Sequence, residues 1–170
     1  KCGAASGLRS DFNANGSHIL TNETRYIGNS PPHNSSSEGS VVLHRVIYAS
    51  EAVGATGAST LSIAQILGVS ERNNRRDHLT SCVMFHQGHI LQVVEGARTD
   101  LDRLMRRLLD DPRHSGFRVL VDTPIAARRI DEAMGLCADP ATLLRRVGLT
   151  CLSRITAREA EVLLEIRTAA

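Results

Sequence analysis

The stretch SERNNRRDHLTSCVMFHQGHILQVVEG, from Ser70 to Gly96, decides how this chain folds. Its two apolar runs, LTSCVMFH and HILQVVE, are rich in β-branched and aliphatic residues and flank Gln87-Gly88. That pattern predicts a β-hairpin turning at Gln87-Gly88. The asparagines Asn73 and Asn74 stand before it, where a helix would end. Gln92 lies in the middle of the second apolar run. A buried side-chain amide must find partners or cost about 1–3 kcal/mol. Gln92 therefore needs a neighbouring polar side chain or a ligand.

Working outward, VVLHRVIYAS (Val41 to Ser50) reads as an opening strand. Ser59 or Thr60 can cap a helix running through Leu61, Ile63, Ile66 and Leu67 to the asparagine pair. Beyond the hairpin a second helix is expected near Thr99, with Asp102 as a shorter-armed version of the capping box. Leu101, Leu104, Met105 and Leu108 put one apolar stripe on that helix, and Asp111-Pro112 ends it. FRVLVDTPI and the region from Ile130 to Leu136 offer two more strands. The order β-α-β-β-α-β-β predicts an α+β ferredoxin-like sandwich. Two further helices are expected. Asp139-Pro140 starts the first and Gly148 stops it; Thr156-x-x-Glu159 is a capping box opening the second. Their apolar positions need a surface, and the second face of the sheet supplies one.

Residues 1–40 differ from the rest. They are rich in Gly, Ser, Asn and Pro and lack apolar periodicity, so they read as a disordered tail or expression remnant. Three N-x-S/T triplets, at Asn15, Asn22 and Asn34, carry little weight in so biased a segment. The expected organisation is a tail over 1–40, a core domain over 41–137 and a helical cap over 138–170.

Composition excludes several functions. A net charge of +2 and a scarcity of aromatics (two Tyr, three Phe, no Trp) speak against a nucleic-acid platform. Cys2, Cys82, Cys137 and Cys151 are far apart, so no zinc ribbon or dithiol motif is expected; Cys82 should pack as a small hydrophobe. His86 and His89 flank the hairpin turn without a third ligand, which argues against a metal site. No apolar run is long enough to span a bilayer, and there is no signal-peptide pattern. A cytoplasmic protein without a membrane or nucleic-acid partner is expected, and the missing initiator Met suggests a fragment.

Fold alone does not decide function. In a ferredoxin-like packing, the groove between the two helices can be lined by Tyr48 from the first strand and Gln92 from the third. Asn73 and Asn74 would join them from the first helix, with Arg107, Asp111 and His114 from the second helix and its exit. Amides present donors and acceptors at one tip. That suits a planar heterocycle edged by alternating carbonyl and N–H groups, such as a flavin ring.

At these residues the chain resembles the BLUF family, blue-light sensors that use flavin. HRVIYAS is similar to that family's opening strand with its photochemical tyrosine. SERNN resembles the end of its first helix, ILQVVEG its glutamine strand, and LLDDPRH the end of its second helix. The likeness covers about Val42 to Leu136, with the four motifs in order. It implies a photoreceptor that is not an enzyme, binds FAD and signals to a separate effector protein or through self-association as a homo-oligomer. Residue physics alone does not separate FAD from FMN.

The resemblance also implies roles. Tyr48 would donate an electron and a proton to the excited flavin. Gln92 would bridge Tyr48 to the flavin's N5/C4-carbonyl corner. Asn74 would bond the C4-carbonyl and N3 edge, with Asn73 beside the same ring and Ile66 pressing on its face. Arg107, Asp111 and His114 would serve the C2-carbonyl side and the sugar chain. Met134 would match the family's signalling methionine.

The chain departs from the family pattern in lacking a tryptophan near the last strand, in carrying Ser81 where the family has glycine, and in its VMFHQGH hairpin. The residues also admit plainer readings: Tyr48 and Met134 as core, Asn73-Asn74 as a helix stop, Arg107–Asp111 as a surface ion pair, His114 as a solvated turn residue. The rival function is a degenerate module of the same fold that binds protein partners without flavin photochemistry. A small hydrolase would need a nucleophile or oxyanion site that the sequence does not offer.

Overall fold

The structure, a computed structural model, describes residues 9–12, 18–21, 41–54 and 59–168. It divides into two units, Lys1–Ser40 and Val41–Ala170. In the first, β1 (Arg9–Phe12) pairs antiparallel with β2 (His18–Thr21). The rest of the expected tail, with Asn15, Asn22 and Asn34, lies outside the described residues.

The second unit runs β3 (Leu43–Ala52), α1 (Thr60–Arg76), β4 (Thr80–His86), β5 (His89–Ala97), α2 (Arg98–Leu109), β6 (His114–Ile125), β7 (Gly135–Leu136), α3 (Pro140–Arg146) and α4 (Ala157–Thr168). The sheet order is β6-β3-β5-β4-β7. Every neighbouring pair is antiparallel except β4 with β7. This is the mixed sheet of a ferredoxin-like α+β fold, as expected. Gln87 and Gly88 both adopt positive φ, 49° and 77°, the geometry of a two-residue hairpin turn whose twist matches its strands. Gly96, one residue before the end of β5, lies close under Leu79: a Cβ there would meet Leu79 Cδ2 at 2.4 Å.

Side chains alternate across a strand, so the sheet makes two cores. Val46 and Tyr48 of β3 and Val94 of β5 pack with Leu79 and with Leu101 and Leu104 of α2. Ile47, Ala49, Cys82, Met84, Leu91 and Val93 point the other way, against Leu144 of α3 and Leu163 and Leu164 of α4. The last two helices thus cover the second sheet face. Cys82 is buried among aliphatic side chains, which pushes its thiol up to about 11.

Caps largely follow the sequence. Ser59 accepts from Ser62 N at 3.1 Å, Asp139 accepts from Thr142 N at 3.0 Å, and Thr156 and Glu159 form the reciprocal box. Three details differ. Asp102 does not cap α2, which begins at Arg98 after an uncapped Ala97; Asp102 pairs with Arg98 at 2.9 Å. Asn73 and Asn74 do not stop α1, which continues to Arg76 and leaves through His78 at φ 52°. The last strand is only Gly135–Leu136; Ile130 to Met134 is held by side-chain bonds and a single backbone bond, from Ser81 N to Glu132 O, rather than by a ladder.

α1 matters for function because it does not close onto the sheet. Its apolar residues Ile63, Ile66 and Leu67 are only half-buried, and among its described side chains only Asn74 is buried. A cleft remains between α1 and α2.

Candidate functional site

The floor of the cleft is built by strand register. Tyr48 of β3 stands opposite Gln92 of β5, which stands opposite Val83 of β4. Tyr48 is fully buried and its ring stacks on Phe117 with centroids 4.6 Å apart. Its hydroxyl donates to Gln92 Oε1 at 2.5 Å. Burial, and next the nearby Asp111 carboxylate, raise the Tyr48 pKa well above the usual phenol range, so the hydroxyl keeps its proton and remains a donor. With Oε1 so engaged, Gln92 turns its Nε2 outward, where one contact is Met134 Sδ at 3.8 Å. Gln92 thus has a neighbour side chain on one side and an amide N–H to offer on the other.

Two adjoining recesses open above Gln92. They share Ser70, Gln92, Leu108, Asp111, Arg113 and Met134. Ile66 and His114 line the first; Asn73, Asn74 and Arg107 line the second. Every residue singled out in the sequence therefore reaches this cleft except Tyr48, which lies behind Gln92.

Asn74 has a defined orientation. Its Nδ2 donates to Ala133 O at 2.7 Å and to Ser81 Oγ at 3.0 Å. Because a backbone carbonyl only accepts, the nitrogen must point there, and both amide hydrogens are used inside the protein. What Asn74 can offer a ligand is its Oδ1, an acceptor.

The charged wall is arranged differently from the sequence expectation. Arg107 and Asp111 do not pair with each other. Arg107 binds Asp77 at 2.8 Å, with Arg103 3.6 Å from the same carboxylate; the bond from Arg76 first, and that from Arg107 with it, hold the Asp77 carboxyl down to about 2. Asp111 instead accepts from Arg113, which lowers its pKa. Arg113 lines both recesses and was missed; the signal was its place in LLDDPRH, one residue before His114. His114 meets Ser50 Oγ at 3.0 Å through Nδ1, and burial lowers its pKa, which favours the neutral ring.

The donor set fits a flavin edge: an amide N–H from Gln92, an acceptor from Asn74, an aliphatic face from Ile66, and an Arg–Asp–His group toward the cleft mouth. Among the described residues no helix is long and apolar enough to cross a membrane.

Comparison with known proteins identifies the family. Residues 43–135, more than half of the chain, match the family described as BLUF, Sensors of blue-light using FAD. The photoactivated adenylate cyclase subunit beta of Euglena longa is 30% identical over 86 residues, which are 51% of this chain and 10% of that protein. The blue light- and temperature-regulated antirepressor BluF of Escherichia coli K12 is 27% identical over 71 residues, 42% of this chain and 18% of that one. The chain thus corresponds to a small part of these longer relatives. The dark-state structure of the BLUF protein BlrB superposes with a TM-score of 0.64 at 28% identity, covering 75% of this chain and 96% of that one. Matched over its core domain in sequence and in fold, the chain belongs to the BLUF family of flavin-binding blue-light sensors.

Proposed function

We propose that this chain is a photoreceptor holding FAD in the cleft above Gln92, with Tyr48 and Gln92 as its photochemical pair. The bond from Tyr48 to Gln92 is the observation that carries the reading. A bound flavin supplies blue-light absorption and, once excited, a strong one-electron oxidant. Tyr48 is the residue placed to yield an electron, and its phenolic proton has one short route, to Gln92 Oε1. An amide that takes up a proton there and gives one up from Nε2 can rotate or change tautomer. Its N–H then points to a different acceptor, with only O–H and N–H bonds exchanged and the heavy-atom bonds of the protein unchanged. A low-dielectric surround strengthens each arrangement and keeps the two distinct.

Asn74 Oδ1 suits the flavin N3–H, since its nitrogen is already committed. Asn73 flanks the same edge, and Ile66 packs on the ring. Asp111, Arg113 and His114 serve the C2 side and the sugar chain, with Arg107 behind them on Asp77. FAD rather than FMN is supported by the family description.

BLUF domains are sensory modules that commonly work with effector domains or partners. Here the output would pass to a separate effector protein or through self-association, with Met134 as the first reporter of Gln92. The reading is tested by purification and titration. The protein should be yellow, or take up added FAD with quenching of flavin fluorescence. Colourless protein that refuses FAD would favour a flavin-free interaction module instead.

A further inference from the structure

Ser81 stands where the family pattern has glycine, and it is fully buried on the cleft side of β4. Its position is fixed from both ends: its backbone N–H donates to Glu132 O at 3.0 Å, and its Oγ accepts from Asn74 Nδ2 at 3.0 Å. The hydroxyl has one proton and two acceptors within reach, Ala133 O at 3.0 Å and Met134 Sδ at 3.2 Å. It can serve only one at a time. The same sulfur is also the contact of Gln92 Nε2.

The run that carries Ala133 and Met134 is anchored at its start. Glu95, fully buried and paired with Arg45, accepts from Arg129 N at 2.7 Å and Ile130 N at 3.1 Å. Arg128 binds His78 O and Glu95 O, both at 2.6 Å. With that end held, the freedom left near the site is local, at the Ser81 hydroxyl and the Met134 thioether.

We infer that Ser81 is a positioning residue whose hydroxyl changes partner, from Ala133 O to Met134 Sδ, when Gln92 turns its amide away from the sulfur, and so retains the light-induced arrangement. The exchange follows from acceptor demand. A sulfur that loses the Gln92 N–H is the better place for the one available proton, and Ala133 O still keeps its bond from Asn74. Removing the hydroxyl takes a bond from the lit arrangement but costs the dark one less, because Gln92 Nε2 then remains on the sulfur. The inference rests on the photochemical role proposed for Gln92.

The test is the rate of dark recovery. Ser81→Ala should load flavin and show the light-induced shift, but recover about fivefold faster, the size of one ordinary hydrogen bond. In a Met134→Leu background, which has no sulfur acceptor, Ser81→Ala should add little. Unchanged recovery, or a full-sized effect of Ser81→Ala in the Met134→Leu protein, would overturn the inference. The unmutated protein gives a second measurement. With 13C-carbonyl alanine, light-minus-dark infrared spectra should move one labelled carbonyl band to higher wavenumber, as Ala133 loses a donor; no response in any labelled band would also overturn it. A protein with flavin but no light-induced shift would instead overturn the photoreceptor reading, and this inference with it.

Discussion

Tyr48 and Gln92 face each other across the β3–β5 ladder, and the phenol donates to the amide oxygen at 2.5 Å. The register makes this contact, and no loop has to close to form it. Sheet geometry places the amide beside the tyrosine, and the proton the phenol donates turns Oε1 toward it, leaving Nε2 for the cleft.

Replacing Tyr48 by Phe isolates the hydroxyl. The stack on Phe117 survives, but Gln92 Oε1 loses its donor in a buried place. The variant should be destabilised by about 1–3 kcal/mol in urea unfolding. It should still take up flavin and should show no light-induced shift.

Asn74 should dominate binding among the polar residues of α1. Asn74→Ala removes the acceptor offered to the ligand and strips a donor from Ser81 and Ala133. Affinity for added FAD should fall by about 5- to 150-fold, equivalent to about 1–3 kcal/mol. Fluorescence titration reads this directly, and Asn73→Ala, at a half-buried position, should cost less.

Much of this arrangement was legible from local chemistry. The hairpin followed from Gln87-Gly88, the caps at Ser59, Asp139 and Thr156 from their side chains, and the amide cluster from Gln92 standing in an apolar run with Asn73 and Asn74 just before the hairpin. What stayed hidden depends on contacts distant in sequence. Arg107 looked like a partner for Asp111 because the two are one helical turn apart, but it binds Asp77, just past the end of α1, instead. Asn73-Asn74 looked like a helix stop because asparagine tolerates left-handed backbone, yet His78 makes the exit. Ser81 was visible only as a departure from a pattern; its bonds to Asn74, Ala133 and Met134 exist only once β4, α1 and the run before β7 are brought together.

Glu95 should be the most sensitive polar position outside the cleft. Glu95→Gln keeps the shape but leaves Arg45, itself buried, without its countercharge. Breaking a buried pair in this way costs about 3–5 kcal/mol. A fall of that size in unfolding free energy is expected; a change below about 1 kcal/mol would mean the pair is well solvated.

Asp77 should shape the acid limb of stability. Its carboxyl is held down to about 2 in the folded chain, with Arg76 the largest cause and Arg107 next among the arginines. A depressed carboxylate contributes stability that is complete above its ordinary value, about 4, and is lost as pH falls through about 2. Urea unfolding between pH 5 and pH 2 should show this loss, and Asp77→Asn should flatten that part of the profile.

The central claim is that Gln92 is the switch. It is tested most directly by light-minus-dark absorption spectra of the flavin-loaded protein and of Gln92→Leu, which keeps similar bulk but removes both donor and acceptor. The unmutated protein should show a small red shift of the flavin band under blue light, reversible in darkness, and Gln92→Leu should bind flavin and show none. A red shift of normal size in Gln92→Leu would contradict the account and leave Gln92 a structural partner of Tyr48.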